Sequence, residues 1–282
     1  MKVLDHSQVS AWQRDGFLSP FPLMNADEVV ACNEGVARFE KWLGGPINGD
    51  GAHKWRSMAY LVLPWVAQLA QDPRILNHVE DLLGPDLFIF TSTFFIKEAR
   101  SPTIAAWHQD STYYGLEPKE EACVWIALTE ANEAAGCMEM LSFNGRPKQL
   151  RHASRVVENS VNRGSQIIVE PLDVANPVAV PLAAGAFSIH HGLCPHRSGP
   201  NTADHRRIGL GLNFIPTHVR PSGTIRHAAM LVRGEDRFGH FELVEPPTAE
   251  LDDAAVATHD RAMALYRDAY LEEEARHAQL SV

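Results

Sequence analysis

The sequence predicts a mainly β protein with flanking helices, built as a barrel or sandwich of short strands. From Asp86 onward, short runs rich in β-branched and aromatic residues alternate with turn-rich stretches, as in LFIFTSTFFI, CVWIAL and IGLGLNFI. Many short strands with irregular connections are typical of a barrel or sandwich. We therefore expect one domain over residues 1–282. Its parts are a helical region at 1–85, a β core at about 86–220 and a closing helix at about 248–278.

The helical region has recognisable boundaries. A first helix is expected over Ser7–Asp15, with Ser7 at its N-cap. The pattern Asn25-x-x-Glu28 predicts a capping box at the start of a second helix. Residues 47–57 are polar and rich in glycine, which predicts a loop, and a third helix is predicted over Val66–Leu83.

Composition and charge restrict the partners. The net charge of −10 argues against a duplex nucleic acid, whose phosphates require a basic surface. No stretch approaches the roughly 20 apolar residues that cross a bilayer, so no membrane partner is expected. The four cysteines are scattered, which fits a reducing compartment. We expect a soluble, cytoplasmic protein that acts on a small molecule; the sequence does not define the oligomeric state.

The stretch Trp107-His108-Gln109-Asp110 carries the first candidate metal ligands. In a strand, residues two apart project from the same face, so His108 and Asp110 could direct a nitrogen and an oxygen at a common ion. Two histidines and one carboxylate on one side of a metal are the ligands of non-haem Fe(II) oxygenases. An H-x-D pair alone is weak evidence for a metal site, because a surface His beside an Asp commonly produces the same pattern.

A downstream segment that begins at His196 supplies a third candidate ligand. HRSGPN follows AAGAFSIHH, a predicted strand that ends in a turn, and its Gly and Pro residues let the backbone turn tightly beside an ion. A basic residue, Arg207, follows eleven positions later on the next predicted strand. The two segments together favour a metal site over a chance H-x-D pair.

Strand parity gives Arg207 a candidate role. In RIGLGLNFI the second face is apolar, and the first carries Arg207, Gly209, Gly211 and Asn213. This face predicts a wall that leaves room for a small polar ligand. A guanidinium there can bind a carboxylate through two parallel hydrogen bonds. Arg206, which points the other way, is the alternative anchor, and Arg207 could also be a solvated strand residue.

Together, WHQDSTYYGLEP, CVWIALTEANEAAGC and HRSGPN followed by Arg207 resemble the phytanoyl-CoA dioxygenase family of Fe(II)/2-oxoglutarate oxygenases. The resemblance extends from about residue 8 to about residue 245. It implies a double-stranded β-helix, a jelly-roll (cupin-like) barrel of two facing sheets with helices on the larger one. It also implies Fe(II) as the metal, 2-oxoglutarate as co-substrate and O₂ as oxidant.

The resemblance implies roles for individual residues. His108, Asp110 and His196 correspond to the iron ligands and hence to the catalytic centre. Arg207 corresponds to the anchor for the distal carboxylate of 2-oxoglutarate, with Ser198 near that carboxylate. Trp125 matches a family position that lines the co-substrate pocket. Thr93, Phe95 and Lys97 share one face of a predicted strand; Thr93 is a candidate for the co-substrate, and Phe95 and Lys97 for the substrate. Tyr113 and Tyr114, which follow the iron motif, are further candidates for the substrate. Packing in the core is the alternative role for the aromatic residues.

Two features depart from the family pattern. Where relatives usually carry a Pro-Gly-Ser-His-like loop, this chain has Leu141-Ser142-Phe143-Asn144-Gly145, so we expect a different pocket rim. His190 and His191 also lie close to His196 in the sequence. We expect them beside the ligands or at the surface, because only His196 keeps the distance to Arg207.

These features predict an enzyme that hydroxylates a C–H bond of a small polar metabolite and releases succinate and CO₂. Aminophosphonates, amino acids and natural-product intermediates are the candidate substrates. Asp110 favours hydroxylation over chlorination, since related halogenases typically replace this carboxylate with a small residue. Desaturation, epoxidation and C–C cleavage are alternatives on the same scaffold. A cupin-like metal-binding protein without turnover and a zinc hydrolase are the alternatives outside this class.

Overall fold

The computed structural model describes residues 1–49, 54–162 and 166–280, without the side chains of Tyr113 and of residues 276–280. The helices are α1 (His6–Asp15), α2 (Ala26–Leu43), α3 (Pro64–Ala70), α4 (Pro73–Leu83), α5 (Ser111–Tyr114) and α6 (Asp253–Leu280), with a 3-10 turn at Ala59–Leu61. The first eight strands are β1 (Phe17–Pro22), β2 (Leu87–Lys97), β3 (Ala105–His108), β4 (Leu116–Glu117), β5 (Ala122–Ala127), β6 (Met138–Met140), β7 (His152–Ser154) and β8 (Gln166–Ile168). The others are β9 (Val178–Val180), β10 (Ala186–His191), β11 (His196–Ser198), β12 (Arg207–Pro216), β13 (Arg220–Pro221), β14 (Ala228–Arg233) and β15 (Glu242–Leu243).

Two facing sheets contain most of the strands. Within the described ranges, the larger sheet has seven strands in the order β1-β10-β5-β12-β2-β14-β15, and the smaller has four in the order β3-β11-β6-β9. In the larger sheet Arg207 of β12 lies opposite Lys97 of β2. In the smaller sheet His196 of β11 lies opposite His108 of β3. The predicted mainly β class with flanking helices is confirmed.

Helices cover the outer face of the larger sheet. Leu210 and Leu212 of β12 are fully buried in a core that they share with Phe39 of α2 and Val79 of α4. The apolar face predicted for RIGLGLNFI is therefore the face on which the helices pack. Each fully buried Leu or Phe contributes roughly 1.5–3 kcal/mol, so this layer holds β12 in place and fixes the orientation of its opposite, polar face.

A second apolar cluster fills part of the space between the sheets. It joins Trp125 of β5 in the larger sheet to Met138 and Met140 of β6 and Val180 of β9 in the smaller sheet. This cluster holds the sheets apart at one end of their interior. The polar candidate residues lie in the space beside it.

Several element boundaries differ from the predicted ones. Asp5, not Ser7, is the N-cap of α1: its carboxylate accepts from the backbone N–H of Gln8. The predicted third helix is two helices, because Pro73 lacks the N–H that a continuing helix needs and instead occupies the first turn of α4. The closing helix begins at Asp253, after the predicted start at 248. The capping box that begins α2 is confirmed.

The sheets also use residues outside the predicted core at 86–220. Strand β1 adds to one edge of the larger sheet, and β14 and β15 add to the other. None of the described helices is long and apolar enough to cross a membrane.

The stretch that follows residue 53 runs alongside β2. Of the predicted loop at 47–57, residues 50–53 lie outside the described residues. The N–H of Phe94 donates to the carbonyl of Arg56 (2.8 Å), and the N–H of Met58 donates to the carbonyl of Ser92 (2.6 Å). These bonds hold the backbone of Arg56 against the larger sheet.

Candidate active site

His108, Asp110 and His196 converge in the interior between the sheets. The side-chain ligand atoms of the three residues all lie within 4.8 Å of one another. Asp110 Oδ1 is 3.7 Å from His108 Nε2 and 3.8 Å from His196 Nε2. The cross-strand pairing of β3 and β11 brings the two imidazoles together, with ring centroids 4.1 Å apart.

The position of Asp110 has a different cause from the one that strand parity predicts. Strand β3 ends at His108, and Asp110 lies in the turn that starts α5, with φ −65° and ψ −39°. The carboxylate therefore reaches the histidines because the chain turns back after β3. The prediction that both residues share one strand face was wrong, although the two side chains do meet.

The backbone sets the tautomers of both histidines. His108 Nδ1 lies 2.8 Å from the carbonyl oxygen of Ala106, and His196 Nδ1 lies 3.0 Å from that of Cys194. Because a carbonyl oxygen only accepts, each Nδ1 carries a proton, and in the neutral ring the lone pair is on Nε2. Both Nε2 atoms face Asp110 Oδ1. This donor set fits a divalent metal held by two imidazoles and one carboxylate.

Burial and charge favour the ligand form of each group. Burial lowers the pKa of His108 and, more strongly, that of His196, so both rings are neutral at physiological pH. Burial alone would raise the pKa of Asp110, but His196, His190 and His108 outweigh it and hold this pKa well below its usual range. The carboxylate is therefore ionised, as a metal ligand must be.

His190 holds the second oxygen of Asp110. Its Nε2 lies 3.2 Å from Asp110 Oδ2, and the side chain is 1% exposed. Since a carboxylate oxygen accepts, His190 Nε2 donates, and Asp110 Oδ1 is left to face the two ligand histidines. His191 lies elsewhere and packs against Trp12 and Phe143. His190 is thus the histidine that orients the carboxylate.

Gln109, between the two candidate ligands, fastens their turn to neighbouring segments. Its Nε2 donates to the carbonyls of Leu193 (2.6 Å) and Lys148 (2.8 Å), and its Oε1 accepts from the N–H of Leu150 (2.7 Å). The N–H of Gln109 donates to His152 Nε2 (3.1 Å). Burial lowers the pKa of His152 to about 4, which keeps this ring neutral and able to accept. Sequence reasoning missed this network, because Gln109 is the unspecified middle position of the H-x-D pattern and His152 stands in no metal motif.

A cleft leads from the three candidate ligands to the buried Arg207, and its adjoining outer part reaches Lys97. The inner part has about 770 Å³ of empty volume, including the part open to solvent. Lys97 Nζ donates to Ser198 Oγ (2.7 Å) and to the carbonyl of Gly199. Arg207 Nη1 donates to the carbonyl of Gly136 (2.6 Å), whereas its buried Nε has no partner among the described residues.

Neither of the two cations has an acidic partner among the described residues. Neither forms an ion pair with an Asp or Glu in the described parts of the chain. Burial, together with the charge of Arg207, lowers the pKa of Lys97 to about 7, and burial lowers that of Arg207 to about 10. Two buried positive charges side by side are costly without an anion. The geometry therefore describes an anion site within the same cleft as the candidate metal ligands.

Aromatic rings cover the glycine face of β12. A Cβ on Gly209 would overlap the ring of Trp125, and a Cβ on Gly211 would lie 2.9 Å from Phe95. The space predicted above these glycines is thus occupied by aromatic side chains, which themselves line the cleft. The guanidinium carbon of Arg207 lies 5.3 Å from the centre of the Trp125 ring. The glycines admit rings that form one wall of the anion site.

The remaining predicted residues lie in or near the cleft. Thr93, Phe95 and Tyr114 line it, and the hydroxyl of Tyr114 accepts from Asn213 Nδ2 (2.5 Å). The side chain of Tyr113 lies outside the described residues. Lys97, predicted to contact the substrate, lies beside Arg207 at the anion site.

Arg206, the alternative anchor, and the loop at Leu141–Gly145, which departs from the family pattern, both lie outside the cleft. Arg206 points away from it and pairs with Glu40 (2.5 Å) and Glu98 (3.0 Å). The loop does not line the cleft. Instead, it packs at the end of α1, where Ser142 Oγ donates to Asp15 (2.8 Å) and Phe143 lies against Gly16. The loop thus lies away from the described lining of the cleft, and the expectation of a different pocket rim stays a prediction.

The outer part of the cleft contains residues that no motif indicated. Arg56 lines both the inner and the outer part, as does Asn162 on the opposite wall. The side chain of Asn162 pairs with the backbone of β3: its Oδ1 accepts from the N–H of Ala106 (2.7 Å), and its Nδ2 donates to the carbonyl (3.3 Å). Only the folded chain brings these distant segments to the cleft.

Comparison with known proteins identifies the family. Residues 12–209 match the family model described as "Phytanoyl-CoA dioxygenase (PhyH)". The match covers more than half of the chain, which therefore belongs to the phytanoyl-CoA dioxygenase family of Fe(II)/2-oxoglutarate-dependent oxygenases.

Individual relatives are more distant. The chain is 28% identical to an ectoine dioxygenase of Bordetella parapertussis over 158 residues, 51% of this chain and 50% of that protein. It is 24% identical over 199 residues to a probable alpha-ketoglutarate-dependent hypophosphite dioxygenase of Stutzerimonas stutzeri, covering 68% of this chain and 66% of that one. The match thus spans about half the length of the first of these relatives and about two thirds of the second.

Solved structures match over nearly the whole chain. The apo form of the non-heme monooxygenase ThoJ is 28% identical with a TM-score of 0.84, covering 95% of this chain and 99% of that one. CytC3 with Fe(II) and alpha-ketoglutarate has a TM-score of 0.66 at 18% identity, covering 89% of this chain and 96% of that one, which supports the fold alone. The jelly-roll fold is thereby confirmed.

Proposed function

We propose that the protein is an Fe(II)/2-oxoglutarate-dependent dioxygenase that hydroxylates a C–H bond of a small polar molecule. One observation carries this proposal: two imidazoles and a carboxylate line a cleft that continues to two buried cations, and neither cation has an acidic partner among the described residues. A metal-binding protein without turnover has no need of the cation pair, and neither does a zinc hydrolase. Membership of the family and the likeness to a non-heme monooxygenase support the same function.

The cation pair suits the distal carboxylate of 2-oxoglutarate. An anion at Lys97 and Arg207 would neutralise the buried charge, and the planar guanidinium can bind a carboxylate through parallel hydrogen bonds. His108, Asp110 and His196 would hold Fe(II), which the other end of 2-oxoglutarate would reach. Ser198 and Trp125 border the distal end, and Thr93 lines the wall between.

The reaction consumes one O₂ and one 2-oxoglutarate for each substrate hydroxylated. One oxygen atom enters succinate and the other enters the hydroxyl of the product, and the C1 carboxylate leaves as CO₂. Bound Fe(II) supplies the redox chemistry that couples these steps. The chain orients the metal ligands through His190 and Gln109 and holds the co-substrate at Arg207.

The proposal is tested by anaerobic reconstitution with Fe(II). We expect a weak visible charge-transfer band when 2-oxoglutarate is added, and succinate once air is admitted. Asp110→Ala should remove both. Arg207→Gln should raise the 2-oxoglutarate concentration needed for half of the band by about 10- to 100-fold, since a hydrogen bond to a charged group contributes about 1.5–3 kcal/mol.

Arg206→Gln is the matched control, because it removes the neighbouring guanidinium on the opposite face of the same strand. It should leave the 2-oxoglutarate titration unchanged. A wild-type protein that binds Fe(II) but gives neither the band nor succinate would instead favour the metal-binding protein without turnover. An undiminished band in Asp110→Ala would exclude the proposed ligand set.

A further inference from the structure

A second set of metal-binding side chains lies on the other side of Asp110. Asp110, Cys123 and His190 each offer one ligand atom, and these atoms all lie within 4.8 Å of one another. All three residues are buried, and all three line the cleft. A carboxylate, a thiol and an imidazole are side chains that bind zinc in proteins. The set shares Asp110 with the candidate iron ligands and adds two side chains that they do not use.

The register of the larger sheet places Cys123 between two polar neighbours. Cys123 of β5 lies opposite His190 of β10 on one side and opposite Asn213 of β12 on the other. Residues directly opposite each other in antiparallel strands project from the same face, so all three side chains face the interior between the sheets. The candidate iron histidines belong to the smaller sheet instead. Asp110 therefore lies between the two sets.

Both neighbours of Cys123 carry a buried polar atom without a partner. His190 Nδ1 and Asn213 Oδ1 have no hydrogen-bond partner among the described residues, and the two residues are 1% and 4% exposed. Buried polar groups are normally paired, so two such atoms beside one thiol require an explanation. Because no described group bonds Nδ1 of His190, the ring can keep its proton there and offer the lone pair of Nε2 to an ion.

The carboxylate of Asp110 can serve both sets at once. Its Oδ1 faces the two candidate iron histidines, and its Oδ2 lies 3.2 Å from His190 Nε2. A carboxylate that binds one ion through each oxygen suits a two-metal site, in which the ions lie about 3.5–4 Å apart. Cys123 then selects the second ion, because a thiolate favours Zn²⁺ and other thiophilic ions over Mg²⁺.

We infer that Asp110, Cys123 and His190 form a second metal site, which binds a thiophilic divalent ion such as Zn²⁺ beside the candidate iron position. On binding, the Cys123 thiol releases its proton to solvent, and the ion replaces the Nε2–H of His190 that otherwise donates to Asp110. The cleft that the three residues line gives the ion a route to the site. This inference concerns metal binding alone and does not depend on the proposed oxygenase activity.

Titration with Co²⁺ tests the second site. A cobalt–thiolate bond gives a strong charge-transfer band in the near ultraviolet, which imidazole and carboxylate ligands do not give. The full chain is stripped of metal, kept free of oxygen and of thiol reductants, and titrated with Co²⁺. We expect two ions per chain and the thiolate band. Zn²⁺ should then remove the band by competition, since it binds thiolate and imidazole ligands well.

Variants assign the thiolate band to Cys123. Cys123→Ser should abolish the band, bind one Co²⁺, and bind the second Zn²⁺ at least about 100-fold more weakly, because loss of even an indirect partner of a metal costs about 10- to 100-fold. His108→Ala removes a ligand of the first set alone, so it should bind one Co²⁺ with the band intact. Single Ser variants at the other cysteines are the controls and should keep both ions and the band: Cys32, Cys137 and Cys194.

The outcomes decide the inference without touching the proposed function. A wild-type protein that lacks the thiolate band at saturating Co²⁺, or a band that survives in Cys123→Ser, overturns the second site. One ion per chain together with the band would show that the two sets exclude each other, which overturns the paired arrangement. If Cys123→Ser does not fold, a band that persists in all three control variants still assigns it to Cys123, the remaining thiol. The Fe(II)–2-oxoglutarate band is measured separately, so its absence contradicts the proposed function alone.

Discussion

At the scale of single residues, burial and the neighbouring groups together decide the charge of each group in the cleft. His108 and His196 are neutral because burial lowers their pKa, and Asp110 stays ionised because three imidazoles surround it. Lys97 is the group whose protonation changes near neutral pH, because burial and the charge of Arg207 lower its pKa to about 7. A bound anion favours the protonated amine, so binding of 2-oxoglutarate should take up a proton.

This linkage predicts a pH dependence for co-substrate binding. Below pH 7 Lys97 already carries its proton, so the affinity for 2-oxoglutarate should be highest there. Above pH 7 the proton must be supplied on binding, and the affinity should fall towards tenfold per pH unit. The charge-transfer titration between pH 6 and 9 measures this slope.

Lys97→Met should flatten the slope. Glu121 titrates in the same range, since burial raises its pKa to about 8, and Glu121→Gln is therefore the control that should keep the slope. A slope that survives in Lys97→Met would show that Lys97 is not the group involved.

His190 provides a prediction about metal affinity. His190→Leu removes the donor to Asp110 Oδ2, and loss of such a group beside a ligand typically lowers metal affinity 10- to 100-fold. His190→Gln can place an amide N–H near the position of Nε2 and should recover most of the affinity. Anaerobic Fe(II) titration with saturating 2-oxoglutarate measures both, and equal losses would indicate that His190 matters only for packing.

The sequence reveals the residues whose types and spacing are unusual. His108, Asp110, His196 and Arg207 stand in recognisable patterns, and the structure brings all four into one cleft. Arg56 stands in no pattern. It reaches the cleft through pairing with β2, a contact between distant parts of the chain that periodicity does not encode.

At the scale of elements, β12 shows what strand parity can predict and what it cannot. Parity separates its helix-packing face from its polar face correctly. It cannot show what covers the glycines, because that depends on the neighbouring strand β5 and the direction of the Trp125 side chain. Similarly, the H-x-D spacing leaves open where β3 ends, so parity gave the wrong reason for the meeting of His108 and Asp110.

The close contact at β12 predicts the effect of Gly209→Ala. The added methyl group would displace the Trp125 ring from its place beside Arg207. Overpacking of this kind typically costs about 1–3 kcal/mol. We expect a lower Tm and a higher KM for 2-oxoglutarate.

Gly45→Ala is the matched control, since a Cβ there meets nothing within 4 Å. It should leave Tm and KM unchanged. A Gly209→Ala protein with wild-type Tm and KM would contradict the packing described for Trp125.

At the scale of the whole molecule, the closing helix α6 supports the cleft from outside. His259 on α6 is fully buried, its Nε2 donates to the carbonyl of Ser57 (2.9 Å), and its ring stacks on Trp55 (4.7 Å between centroids). Both residues flank Arg56 in the sequence. The helical pattern of the C-terminal segment predicts the helix, but only tertiary structure shows which segment it holds.

Replacement of His259 should therefore act mainly on stability. His259→Leu removes the donor to the carbonyl of Ser57 and should lower the free energy of unfolding by about 1–3 kcal/mol, because that carbonyl is left without this partner. His259→Gln, which keeps an N–H donor, should recover part of the loss. Thermal unfolding measures both variants, and equal losses in the two would show that the hydrogen bond does not matter.

The candidate metal ligands and the two cations lie on different sheets, and this placement has a consequence for stability. The candidate metal ligands belong to the smaller sheet or to the turn beyond it, whereas Lys97 and Arg207 belong to the larger one. A co-substrate bound at one end to the metal and at the other to the two cations would form a reversible link between the two sheets. Resistance to heat and to proteolysis should then rise and fall with the supply of 2-oxoglutarate, so that the lifetime of the enzyme itself follows the metabolic state of its surroundings.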